Sequence, residues 1–263
     1  MQQNCYLDKI KNTMEYLKRK KECVLGFEVD LYDFDTALQY VNQHLQTNKG
    51  MQIVTINPEM IEQGQKNNEF GRILNEADLI IPDGVGIKLA LRIKGINQEN
   101  IPGVEFAKKL IKLCELDGYT IGLLGAKEEV VQKTLSNLRN EFKNLPITYV
   151  HNGYFDEQGK NIITQELKAI SPRVVFVAMG APKQELLIAE LKEYMQETIF
   201  IGVGGSFDVW SGMVKRAPKI WQKMGLEWLY RTIKEPSRFK RIFPTLPLFL
   251  IRVIIETIRE KLG

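Results

Sequence analysis

The sequence is poor in the residues that most often hold metals. Its 263 residues include two histidines, His44 and His151, and three cysteines, Cys5, Cys23 and Cys114. The histidines lie far apart without a recognised ligand spacing, which argues against a metal site shared between them. The cysteines form no closely spaced group, and their odd number gives no disulfide framework, so reduced thiols in a cytoplasmic protein are expected. No Walker A stretch is present, and no glycine loop has the full GxGxxG spacing. "GLLGAKEE" keeps only the order of strand, turn and helix, and "GVGGSF" ends on Phe207. Common P-loop ATPase and NAD-enzyme readings fall accordingly. The N-terminal "MQQNCYLDKIKNTMEYLKRKK" lacks the apolar centre of a secretory signal and reads as a solvent-facing helical segment. The apolar run near the C-terminus is shorter than the roughly 20 residues that a spanning helix needs.

Acidic residues are scarce in one place. From Trp210 onward there are 12 Lys/Arg against 4 Asp/Glu, whereas residues 1–209 hold 24 against 28, so the overall charge of +4 belongs to the last fifth of the chain. An anionic partner or surface is expected there. Two units follow from this contrast: a catalytic body over 1–209 with an N-terminal helical extension, and a basic, amphipathic appendage over 210–263.

Short apolar runs alternate with longer helical patterns along the body. "MQIVTI", "DLII", "YTIGLLG", "ITYVHNG", "RVVFVAMG" and "TIFIGVGG" each lead toward a charged helical stretch, and "CVLGFEVDL" begins a further strand candidate. This alternation predicts an α/β fold, Rossmann-like, with a largely parallel sheet and helices on both faces, plus a helical C-terminal appendage. Open sheets of this kind bind ligands outside the carboxyl ends of their strands. Five unusual loops fall at such ends: "TINPE", "IPDGVG", "LLGAKEE", "AMGAPKQE" and "GVGGSFDVWSG". Each glycine has a plain role in a tight turn, but five such loops on one edge point to a shared ligand site.

Within these loops Asp83 is the best placed carboxylate for acid/base chemistry, with helix capping as its ordinary alternative. Asp208 can bind a substrate hydroxyl or cap the turn that follows it. Gln184 and Glu185 can read sugar or base hydroxyls, or serve the first turn of a helix. Asp33 and Asp35 in "DFD" look like a metal-binding carboxylate pair, but the helical stretch "TALQYVNQHL" that follows favours capping. In the tail, Arg231, Lys234, Arg238 and Arg241 recur at steps of three, four and three beside Trp228, Tyr230, Phe239 and Phe243. "PLFLIRVIIETIREKLG" then groups Arg252, Glu256, Arg259 and Glu260 on one side of a helix among Leu, Ile and Val. A packed or dimer-forming helix and a membrane-surface helix both fit. Nucleic-acid binding lacks a reading motif.

Taken in order, "TINPEM", "LIIPDGVG", "GLLGAKEE", "HNGYFDE", "VAMGAPKQE", "IGVGGSFDVWSGMVKRAP" and "GLEWLYRTIKEPSRFKR" resemble the bacterial TagA/WecG family of glycosyltransferases over approximately residues 24–243. The resemblance implies metal-independent, inverting transfer of an N-acetylmannosamine-type sugar. The donor is a UDP-sugar and the acceptor a polyprenyl-diphosphate-linked N-acetylglucosamine at the inner membrane leaflet, with no cofactor. It assigns Asp83 as general base and Thr55, with Asn57 beside it, as a residue that orients donor or acceptor groups. It places Asn57, Gly125, Gln184, Glu185, Gly204, Gly205 and Asp208 at the donor, and gives Arg216, Arg231, Arg238 and Arg241 the diphosphate or lipid acceptor. Related sequences are expected to carry glycine in place of Ala126 and alanine in place of Ser206. These departures leave N-acetylmannosamine, its uronate and another hexose open, though neither loop gains the basic residue a uronate invites. A homo-oligomer and a noncatalytic membrane-binding protein remain compatible with the tail.

Overall fold

The computed structural model describes residues 20–215, 217, 218, 221, 230 and 239–262, with side chains from Thr245 onward in the last segment. Nearly all of the N-terminal extension expected to be helical lies outside these residues. The body opens with two four-residue strands, β1 (Lys21–Val24) and β2 (Phe27–Asp30), paired antiparallel through a Leu25-Gly26 turn. The strand expected in "CVLGFEVDL" is therefore split by a hairpin and stands apart from the main sheet.

That sheet has six parallel strands: β3 (Met51–Ile56), β4 (Leu79–Pro82), β5 (Ile121–Gly125), β6 (Ile147–His151), β7 (Val174–Ala178) and β8 (Ile199–Gly202). Their order is β4-β3-β8-β7-β5-β6. Continuous apolar runs such as VVFVA and IFIG are wholly buried, as expected of strands covered on both faces. One face carries α1 (Phe34–Gln46), α5 (Gly103–Asp117), α6 (Glu128–Glu141) and α9 (Ser206–Trp210) over a single apolar cluster that includes Ile53, Phe106, Phe176 and Ile201. The opposite face carries α2 (Pro58–Lys66), α3 (Asn68–Asn75) and α4 (Gly84–Ile93) at one end, and α7 (Glu157–Ile170) and α8 (Lys183–Tyr194) at the other.

The hairpin sits beside the edge strand β4. The buried Asp30 carboxylate accepts the Ile80 N–H at 2.7 Å, satisfying a backbone donor of the strand. The last helix, α10 (Phe239–Leu262), lies against α2 and α4, with Phe249 and Val253 fully buried in the cluster around Ile56 and Ile87. Its polar side chains also face the body. Arg252 pairs with Glu62 at 2.7 Å, and Lys94, at the end of α4, gathers Glu260 at 2.6 Å, Glu22 at 3.5 Å and Glu256 at 3.6 Å. Glu256 also accepts the Leu25 N–H at 3.0 Å. Facing away from the body, Leu248, Ile251, Ile254, Ile255, Ile258 and Leu262 are exposed. No helix among the described residues is long and apolar enough to cross a membrane.

Candidate active site

Strand order fixes where ligands can gather. From β5 the chain moves outward to β6, and from β7 it moves the other way to β8, so the carboxyl ends of β5 and β7 form a topological switch point. Gly125 ends β5 here, where a side chain would collide with the Ala178 backbone. Ala126 donates to Ala178 O at 2.7 Å and accepts from Gly153 N–H at 2.8 Å, joining the ends of β5, β6 and β7. Ala126 has φ +54°, a conformation that favours glycine and so fits the glycine expected there from the family resemblance.

The second centre lies at the ends of β3 and β4. Thr55 pairs in register with Ile81, and Asp83 N–H donates to Ile56 O at 2.9 Å, so the two residues occupy neighbouring strand ends. Asp83 stands at the N-cap of α4 but its side chain makes no capping hydrogen bond there. Asp33 supplies the contrast. Its Oδ1 accepts the Thr36 N–H at 2.7 Å at the start of α1, a bond that holds its carboxyl below the ordinary range. The capping expected of "DFD" is thus present at Asp33. Asn57 caps α2 in the same manner, accepting from Met60 N–H at 3.1 Å.

Close approaches define the walls. A methyl group at Gly103, the first residue of α5, would lie 2.9 Å from Thr55 Cγ2, so this helix start abuts the threonine. A methyl at Gly86, in the first turn of α4, would run into the Pro58 ring and lie 2.9 Å from Leu246 Cδ1. The turn that carries Asp83 is therefore wedged between α2 and α10. The "PDGVG" glycines do separate work, since Gly84 takes φ +83° and Gly86 permits this contact.

Gln184 and Glu185 lie between the two centres but point inward, with 4% and 1% of their surfaces exposed. Gln184 Oε1 accepts Gly180 N–H and Gly204 N–H, each at 3.0 Å, and its Nε2 donates to Glu185 Oε1 at 2.7 Å. They brace the loops after β7 and β8 from below. The direct donor contact expected of both from the sequence is not what their buried side chains present, and their inward orientation had no local signal. Gly204 and Gly205 lie in the turn after β8. Ser206 Oγ donates to Val203 O at 2.7 Å, so the serine at this position closes that turn with a bond alanine lacks. Asp208 lies in the first turn of α9, near Gly205, while Thr134 and Asn137 of α6 bond the Phe207 and Trp210 carbonyls. Arg216, Arg231, Arg238 and the Arg241 side chain fall outside the described residues.

The sequence from Glu22 through Gly263 matches the WecG/TagA/CpsF family of glycosyl transferases, covering residues 22–263. The chain belongs to this family. A glycosyltransferase activity follows, and Asp83 and Thr55 lie at the carboxyl edge of its parallel sheet. The match runs through α10, so the C-terminal helix is part of the family's sequence.

Proposed function

We propose that this transferase moves N-acetylmannosamine from UDP-N-acetylmannosamine to N-acetylglucosaminyl-diphospho-undecaprenol in cell-wall polymer synthesis. The observation that carries the reading is the packing of the Asp83 turn, through Gly86 and Leu246, against a helix whose outward side is apolar. A lipid-linked acceptor needs both within one reach. Lying in the membrane interface, α10 would bring the acceptor headgroup to the β4 edge, where Asp83 takes the proton from its attacking hydroxyl. That oxygen forms a bond to the anomeric carbon as the bond from this carbon to the UDP oxygen breaks, and the configuration inverts. Thr55 would orient the reacting sugar from the neighbouring strand.

The donor would extend along the carboxyl edge, its nucleoside at the β5/β7 switch point and its sugar near β3 and β4. From β7 to β4 there are three strand intervals, a span of about 14 Å. Gly125, Gly204 and Gly205 would let the backbone approach the diphosphate, with Asn57 and Asp208 beside the donor. Gln184 and Glu185 would set the loops from beneath. Arg216, Arg231, Arg238 and Arg241 would offset the departing diphosphate charge.

Purified protein, a panel of UDP-sugars including the uronate, and a short polyprenyl-diphosphate acceptor test the reading. Acceptor-dependent UDP release is expected with UDP-N-acetylmannosamine. Release with only another sugar would move the donor assignment, and release with none would refute the transfer. Co-sedimentation with anionic vesicles should fall when Ile251 and Ile258 are replaced by Glu.

A further inference from the structure

Glu185 is a carboxylic acid in an apolar position with one oxygen engaged. Its Oε1 accepts from Gln184 Nε2, while Oε2 is buried without a hydrogen-bond partner. The nearby strands β3, β7 and β8 carry no ionisable side chain, and Glu69 and Arg72 of neighbouring α3 are exposed. The carboxyl lies under Gly202, whose missing side chain makes room for it: a methyl there would be 2.5 Å from Gln184 Nε2 and 2.9 Å from Glu185 Oε1.

We propose that Glu185 is a positioning residue that works as a neutral acid. Through Gln184 it would hold the Gly180 and Gly204 loops in the form that receives the donor diphosphate, and loss of its proton would weaken donor binding. The inference rests on the donor site proposed above.

The chemistry favours the protonated form. An ionised Glu185 would leave a buried anion with one side-chain hydrogen bond and no cation partner among the described residues, a costly arrangement, directly beneath loops that must accept another anion. Protonation removes the repulsion and leaves Oε1 free to keep the Gln184 bond. Burial pushes the carboxyl up to about 7, against the smaller pull of the Gln184 amide and its own N–H. The proton can therefore be gained or lost near neutrality. The glutamate does not touch the donor. It acts through one amide side chain that bonds both loops at once.

Isothermal titration of intact protein with UDP-N-acetylmannosamine, from pH 6 to 8, tests this against Glu185→Gln. Wild type should weaken by about tenfold across the range, roughly one unit of pH-linked affinity, while the variant should bind with nearly constant affinity. A variant retaining the wild-type slope would overturn the proposal, as would a wild type with no slope. Binding by neither protein at any pH would instead refute the donor reading. Amide NMR of wild type provides a ligand-free check even where the variant folds poorly. Gly180 and Gly204 signals should shift together with a midpoint near 7, and fixed signals from pH 6 to 8 would overturn the proposal. The variant separates the contribution of Glu185 from that of every other group in the chain.

Discussion

Replacing Lys94 with Met should loosen α10 without unfolding the sheet. The Lys94 side chain is 3% exposed and reaches three carboxylates: Glu260 at 2.6 Å, Glu22 at 3.5 Å and Glu256 at 3.6 Å. Burial works against its charge, but the Glu260 bond and the charges of Glu256, Glu260 and Glu22 outweigh it and hold the ammonium above its usual range. Lys94→Met leaves those carboxylates close together without their shared cation. An exposed ion pair contributes about 0.2–1 kcal/mol, and breaking a buried one costs about 3–5 kcal/mol. A buried ammonium with partly exposed partners belongs between these, at about 2 kcal/mol. This converts to about 30-fold faster amide exchange where α10 opens locally. Hydrogen exchange with mass spectrometry should place the acceleration in α10 peptides and spare β5 and β7. Unchanged α10 exchange would refute the clamp, and equal acceleration through the sheet would refute its local character.

Asp83→Asn should reduce acceptor-dependent turnover by about 10²- to 10⁴-fold in protein shown to be folded by thermal unfolding. Retained turnover would refute its base role. Gly202→Ala should destabilise by about 1–3 kcal/mol in urea titration, since the added methyl meets the buried Gln184 and Glu185 side chains. The Glu185 carboxyl is raised in the folded protein, from 4.5 to about 7, so the folded state binds its proton more tightly than the unfolded state. The resulting stability is full below pH 4.5 and is lost as pH rises through 7, by about 3 kcal/mol in all. Chemical denaturation of wild type and Glu185→Gln at pH 5 and 8 should show that loss in wild type alone.

The parallel sheet could be read from sequence because buried strands leave long apolar runs, as in VVFVA, LIIP and IFIG. The hairpin was harder to read. Leu25 turns the chain at φ +52°, a conformation its side chain does not announce, and each strand has four residues. "IPDGVG" and "APKQE" were legible as unusual words at strand ends, and both fall at the carboxyl edge. The direction of Gln184 was not, because it depends on Gly180 and Gly204, which meet only when β7 and β8 pair. The charge pattern of α10 carried a similar ambiguity. Arg252, Glu256 and Glu260 could face water until Glu62 and Lys94 supplied partners on the body, which turned the Ile and Leu stripe outward.

The contact between Leu246 and the glycine turn gives α10 a mechanical consequence. Gly86 has no side chain to cushion the approach, and Pro58 stands immediately beside it. A small tilt of the helix is therefore transmitted to the turn bearing Asp83 instead of being absorbed by intervening side chains. The fold thus ties the placement of that turn to the seating of α10 on the body, so any change in how the helix packs against α2 and α4 reaches the Asp83 turn directly.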